Sequence, residues 1–362
     1  MSHSTPMILS YPRLEISLDK ITHNTQVVVG KCKRQGIRVA GVTKVFCGHP
    51  VIARAMVDGG IDILADSRLE NLKKLREFPL PKLLLRLPMI SQAKAVVECA
   101  DISLNSEIET IRALSEAAIA RRRSHEIILM IDLGDLREGI FDENELFHTV
   151  EQLLELKGVI LIGIGTNMTC YGGVIPIPIN LSRLTKLKRA IESRFDLHLD
   201  VVSGGNSSSL YLIDEGSLPD GINQLRLGES IVLGRETAYG RQLEGTYNDC
   251  FRLIAEIIEI KEKPSLPIGE VRLDAFGDRP RFVDKGIRKR ALCAIGKQDV
   301  GIGDIIPDDE GLALLGASSD HLILDVTDCD RTYKVGDQIS FCLTYGGILR
   351  SMTSEYVAKQ FE

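Results

Sequence analysis

The stretch Val39-Ala40-Gly41-Val42-Thr43-Lys44 sets a short apolar run directly before a lysine. Its first residues have the make-up of a buried strand, and the lysine stands at the strand's exit. Most lysines so placed carry an apolar stem to the surface and do nothing else. Outward from this stretch the pattern repeats. Val39–Thr43, Ile61–Ala65, Lys82–Leu87, Asp101–Leu104, Ile127–Asp132, Val159–Gly165, Leu199–Ser203 and Gln224–Leu233 read as strands. Between them lie helical patterns such as Pro50–Asp58, Arg68–Glu77, Ser91–Glu98, Ser106–Ala120 and Glu143–Lys157. Strands alternating with helices call for a parallel sheet, and eight of them predict an α/β fold of the (β/α)8 TIM-type barrel class. An open doubly wound sheet is the alternative, but no glycine-rich dinucleotide fingerprint follows the first strand. Ahead of the barrel, Arg13–Leu18 reads as a strand and Asp19–Arg34 as a helix.

Beyond about residue 245 the texture changes. Phe251–Ile260, Ala291–Ile295, His321–Val326 and Gln338–Leu343 are strand-like and separated by Gly, Pro and Asp turns. The expected organisation is a barrel domain over residues 1–244, including the N-terminal strand and helix, and a smaller, mostly β domain over residues 245–362.

Composition excludes several classes of function. The 362 residues are 44% hydrophobic and 26% charged with a formal net charge of -6, which offers no basic surface to nucleic acid or anionic membrane. No apolar run approaches the roughly 20 residues that span a bilayer, and Met1–Pro6 lacks the basic and apolar segments of a leader. A cytoplasmic protein is expected. The eight cysteines are scattered without zinc spacing, so reduced thiols are expected and no metal site.

In a (β/α)8 barrel the chemistry sits where the strands end. Those ends offer Lys44, Asp66, Arg86, Asn105, Arg137, Thr166 with Asn167, the run Ser203-Gly-Gly-Asn206-Ser207-Ser-Ser209, and Arg226-Leu-Gly228-Glu229. The Gly/Ser run and Gly228 stand where such barrels hold a phosphate on backbone N–H groups. A flexible loop reads equally well from the run alone. Together with a strand-end lysine it suggests pyridoxal 5'-phosphate, which needs a phosphate cradle and a lysine amine to condense with its aldehyde.

The chain resembles the alanine/ornithine racemase family of pyridoxal phosphate enzymes. The motifs that carry the resemblance are Pro12–Asn24, Val42-Thr-Lys44-Val-Phe46, Ile131-Asp132-Leu-Gly-Asp-Leu-Arg137-Glu-Gly139, Ser203-Gly-Gly-Asn-Ser207, Leu225-Arg226-Leu-Gly228, Ala294-Ile-Gly-Lys297-Gln-Asp299, Ala317-Ser-Ser-Asp320-His321 and Leu343-Thr-Tyr345-Gly346. They occur in the family's order, and the members acting on ornithine are the most similar.

The resemblance implies an amino acid racemase that moves a proton at the substrate Cα. Lys44 would hold the cofactor and act as one acid/base group, with Lys297 standing where the second is expected. Arg226 would donate to the cofactor's ring nitrogen; a guanidinium does not deprotonate, so that nitrogen stays without a proton. Arg137 would face the substrate carboxylate and the cofactor's phenolic oxygen, unless it merely pairs with Glu138 or Asp142. Asn206, Ser207 and Gly228 would contact the phosphate, and Tyr345 would add a hydrogen bond to it.

Some positions depart from alanine racemase. The tyrosine that serves there as opposite-face base is replaced by the Gly296–Asp299 motif, a lysine open to carbamylation by Met130, and a histidine after the sixth strand by Asn167. Glu229, Asp299 and Asp320, with Glu138, are acids able to hold a cationic side chain, which favours ornithine, lysine or arginine over alanine. A decarboxylase on a related barrel is the alternative, and the cysteine-aspartate signature of those enzymes is not evident near the C-terminus. The resemblance further implies a head-to-tail homodimer in which each site is completed by the partner.

Overall fold

The computed structural model describes residues 10–362. The opening residues, where no leader is expected, lie outside the described ones. The chain forms two compact units, Leu18–Asn248 and Asp249–Glu362, and the described residues up to Ser17 join the second.

The strand β1 (Arg13–Ile16) opens the described chain and the helix Leu18–Lys33 follows it. The barrel strands are β2 (Arg38–Val42), β3 (Ile63–Asp66), β4 (Lys82–Leu84), β5 (Ile102–Asn105), β6 (His125–Met130), β7 (Val159–Gly165), β8 (Val201–Ser203) and β9 (Gln224–Leu227). All eight pair in parallel, and β9 closes on β2 with Arg38 opposite Gln224 and Ala40 opposite Arg226. The expected α/β barrel is therefore present. Alternate residues of each strand fill its interior: Ala40, Ile63, Ala65, Leu83, Ile102, Leu104, Ile128, Met130 and Val201 form one apolar cluster. The helices pack outside. Pro50–Asp58 is found as expected, with Pro50 at its first turn, where a missing N–H is harmless.

One barrel expectation needs correction. The apolar run Gln224–Leu233 does not continue as a strand; it breaks at Gly228, and Glu229–Val232 forms a short helix. Hydrophobicity alone does not separate a buried strand from a buried helical turn. The helix ahead of β8 is Pro178–Phe195, 18 residues long, in keeping with the expected alternation.

The second unit holds β10 (Phe251–Pro264), β11 (Ile287–Cys293), β12 (Ile305–Pro307), β13 (Ala313–Ala317), β14 (Leu322–Asp325), β15 (Gln338–Leu343) and β16 (Ala358–Phe361). They form a mostly antiparallel sheet in the order β12-β15-β10-β11-β14-β13. The N-terminal strand belongs here and not with the barrel: β1 lies antiparallel to β10 and parallel to β16. Strand pairing across such a span of chain leaves no local mark in the sequence. Between β10 and β11 a long loop is tied down at its base, where Ser265 Oγ accepts from Lys285 N at 2.7 Å and donates to Asp284 at 3.2 Å.

Candidate functional site

At the C-terminal mouth of the barrel the site begins with the turn that carries Lys44. Thr43, fully buried, donates from Oγ1 to Asp66 Oδ2 at 2.6 Å. Asp66 ends β3, is also fully buried, and accepts from Asn71 Nδ2 at 3.0 Å and Arg68 N at 2.9 Å. Burial pushes its carboxyl above the ordinary value, and the Thr43 and Asn71 hydrogen bonds pull the other way. The latch fixes the start of the helical turn Lys44–Phe46, and Lys44 itself is exposed to the mouth. Cys47, with φ of 54°, closes the turn in the left-handed region.

Next to β2, β9 presents Arg226 inward. The guanidinium is 4% exposed and donates to Ser203 Oγ and, at 2.7 Å, to the Thr166 carbonyl. Burial lowers its pKa to about 10, with the nearby Glu138 and Cys170 opposing the shift and Arg137 adding to it. No carboxylate hydrogen-bonds this cation among the described contacts. It therefore contributes a desolvated positive charge to the mouth, one suited to an anionic or electron-rich ligand.

Two short helical starts meet beside it. Asn206 caps Ser207–Ser209 by accepting from Ser208 N at 2.8 Å, while its amide donates to the Met168 carbonyl at 2.8 Å. Gly228 precedes Glu229–Val232, and Ser207 Oγ joins the two turns by donating to Ser230 Oγ at 3.1 Å and accepting from Ser230 N at 3.2 Å. Gly205 has φ of +106°, which only glycine adopts readily, and a Cβ on Gly228 would come to 3.0 Å from Val42 Cβ. The two turns thus lie against each other, with the Ser208 and Ser230 amides engaged by Asn206 and Ser207. The Ser208 and Thr166 hydroxyls are buried here without a partner.

After β6, Asp132 Oδ1 accepts from Gly134 N at 2.8 Å and Leu136 N at 3.2 Å, shaping the loop that carries Arg137. Arg137 is held in a fork by Glu138, and that pairing raises its pKa. With its side-chain amide turned over, Asn167 accepts from Arg137 at 3.1 Å as well. The following loop is clamped by the buried Asp135, which accepts from Tyr171 N at 3.1 Å and Val174 N at 3.2 Å.

Lys44, Arg226 with Gly228, Asn206 with Ser207, Asn167 and Arg137 therefore come from the ends of the five consecutive strands β2, β9, β8, β7 and β6. Glu229 is on the same rim, but its carboxylate is taken by Arg235, at 2.8 and 2.6 Å.

The remaining predicted residues lie in the β unit. The turn carrying Lys297 and Asp299 is bonded to the turn carrying Asp320: Lys297 N donates to the Ser318 carbonyl at 2.8 Å and Gln298 N to the Ser319 carbonyl at 3.1 Å. Gly296 permits this approach, since a Cβ there would lie 2.2 Å from the Ser319 oxygen. Lys297 Nζ is 3.6 Å from Asp274 and 3.9 Å from Asp278, and 3.9 Å from the centre of the Phe276 ring. Asp299 is 5% exposed and accepts from Ser354 Oγ at 2.6 Å, an internal role. Asp320 is exposed, and Tyr345 begins the helix Tyr345–Thr353.

Sequence reasoning assigned no part to Thr43, Ser230, Asp274 or Phe276. Their contacts join neighbouring turns well separated in sequence, and only Thr43, beside Lys44, carried a local signal. Among the described residues no group of His, Cys, Asp and Glu is placed to hold a metal, and no helix is long and apolar enough to cross a membrane. Cys32 and Cys293 are buried thiols whose pKa burial pushes up to about 12, as inert core residues have.

These features define a closed (β/α)8 barrel whose C-terminal mouth combines an exposed lysine, two adjoining helical starts and a buried arginine. The chain belongs to the alanine racemase family: the family model described as alanine racemase, N-terminal domain, matches residues 16–236. It is 49% identical over 350 residues to an ornithine racemase of Acetoanaerobium sticklandii, covering 97% of this chain and 99% of that protein. It is 43% identical over 354 residues to a lysine racemase of Thermotoga maritima, with 97% and 99% covered. An alanine racemase of Bartonella henselae, solved with covalently bound pyridoxal phosphate, shares the fold at a TM-score of 0.74 with 16% identity, covering 98% of this chain and 100% of that one.

Proposed function

We propose that the chain is an amino acid racemase that interconverts the enantiomers of a basic amino acid, ornithine foremost, with pyridoxal 5'-phosphate as cofactor, in the cytoplasm. The observation that carries this reading is the 49% identity to an ornithine racemase over nearly the full length of both chains. The residues at the mouth fit the cofactor: two helical starts kept open at Gly228 suit a phosphate, and a buried guanidinium suits a ring nitrogen. When bound, the cofactor supplies the electron sink that acidifies the substrate Cα–H.

Asn206, Ser207 and Gly228 would hold the phosphate, with Tyr345 donating a further hydrogen bond. Arg226, pinned by Ser203 and the Thr166 carbonyl, presents donors only and would hold the cofactor's ring nitrogen as an acceptor. Lys44 carries a proton to and from one face of Cα, and the Thr43–Asp66 latch sets where its side chain begins. Arg137 binds the substrate carboxylate by exchanging Glu138 for it, one carboxylate for another on the same fork. Glu138, once released, is an acid placed to attract the substrate's ammonium group. Asp320 is open to the same role, whereas Glu229 and Asp299 serve it only by giving up Arg235 and Ser354.

Lys297 is the proposed proton carrier for the opposite face, with Asp274, Asp278 and the Phe276 ring setting the position of its amino group. With it goes the head-to-tail homodimer that the family resemblance implies, for which sedimentation equilibrium should return twice the chain mass. The test of the whole reading is incubation of purified protein and added pyridoxal phosphate with each enantiomer of ornithine, lysine, arginine and alanine, followed by chiral chromatography. Interconversion is expected for the basic amino acids, and its absence for all of them refutes the proposal.

A further inference from the structure

The barrel has a second mouth, at the N-terminal ends of its strands, where a cavity of about 1030 Å³ opens. Ends of this kind ordinarily serve stability alone. Here Lys82 donates to the Phe78 and Leu80 carbonyls and Arg123 lies 3.9 Å from Asp101, but one lining group stays out of this pairing. Gln224 lines it, is 0% exposed, and has no hydrogen-bond partner for either its Oε1 or its Nε2. A buried amide in that condition is unfavourable unless something else meets it.

Strand alternation aims three polar side chains inward at this level. Gln224 shares a face with Arg226, Arg38 with Ala40, and Glu126 with Ile128. Arg38 and Gln224 are register partners across β2 and β9, so their donors lie side by side. Glu126 is on β6, four strands round the closed barrel from β2, and hence faces Arg38 from the opposite wall. Among the described residues no ion pair joins these two charges. Asp101 and Asp200 flank Glu126 on the rim, with Arg123 beside Asp101; burial and the two acids raise the Glu126 carboxyl above its ordinary value, and Arg38 across the barrel opposes the shift. The floor between the two poles is apolar, formed by Ile63, Ile102 and Val201.

A donor pole, an acidic pole opposite it and an apolar floor between them match one kind of small molecule. We propose that this mouth binds an aliphatic amino acid as a zwitterion, its carboxylate on Arg38 and the Gln224 amide, its ammonium on Glu126. The side chain lies against Ile63, Ile102 and Val201. The carboxylates are not arranged to hold a metal ion. The site is at the other end of the strands from Lys44 and does not depend on the racemase reading.

The test is calorimetric titration of the cofactor-loaded protein with L-norleucine, pentylamine and hexanoate, the last two each lacking one charged group. One saturable site per chain is expected for norleucine, with both fragments at least about tenfold weaker. Arg38→Gln at the exposed rim and the isosteric Glu126→Gln should each weaken norleucine by about tenfold or more while the catalytic mouth is untouched. Circular dichroism checks that both variants are folded. No saturable heat up to roughly 10 mM norleucine overturns the proposal. So does binding that either folded variant leaves unchanged, which would place the ligand elsewhere, or equal binding of a fragment.

Discussion

Replacing Thr43 by valine keeps shape and burial but removes the hydroxyl that donates to Asp66 at 2.6 Å. Asp66 is 0% exposed and retains Asn71 and the backbone amides of Arg68 and Ser67 as donors, so a single hydrogen bond to a buried carboxylate is lost. A bond to a charged acceptor is worth about 1.5–3 kcal/mol, so the loss at neutral pH should be about 2 kcal/mol. For a unit the size of the barrel this lowers Tm by roughly 4–8 °C.

The pH dependence sharpens the test. Burial already raises Asp66 in the folded state, so the folded protein takes up a proton at higher pH than the unfolded chain. Stability from this group is therefore full below the unfolded pKa near 3.9, declines as pH rises through the folded pKa, and is level above it. Thr43→Val removes a contact that favours the charged form and raises the folded pKa further. The deficit should be largest at neutral pH and shrink on acidification toward about pH 4. Thr43→Ser keeps the donor and should recover most of the stability. Thermal unfolding followed by circular dichroism across that range, with cofactor absorbance at neutral pH, measures both. A deficit that is constant with pH, or a serine variant as unstable as the valine one, refutes the assignment of Thr43 and Asp66 as a latch.

Arg226→Lys keeps a charge but not a fork that bonds Ser203 and the Thr166 carbonyl together; kcat should fall by about 10–100-fold with the fold retained, and an unchanged kcat would remove Arg226 from the site. In Gly228→Ala the new Cβ meets Val42 Cβ at 3.0 Å and narrows the cradle, so the cofactor Kd should rise by about tenfold in equilibrium dialysis. Lys297→Ala should suppress Cα proton exchange from one enantiomer more than from the other in deuterium oxide; equal losses from both would make Lys297 an anchor for Asp274 and Phe276 and not a proton carrier.

The amino-acid sequence determined the alternation of apolar runs and helical faces, and with it the barrel, because burial patterns repeat at short range whatever the partner. It also placed Lys44, Asn206, Ser207, Arg226 and Gly228 at strand ends, since a strand's exit is a local property. It did not show that Gln224–Leu233 breaks at Gly228, because an apolar run packs equally well as strand or helical turn. Nor did it show that β1 belongs with β10 and β16, or that Asp299 is taken by Ser354. Those facts are pairings between distant segments, and a side chain's neighbours exist only once the chain has closed. The same closure sets Arg38 across from Glu126 and leaves Gln224 between them without a partner, an arrangement that no spacing in the sequence encodes.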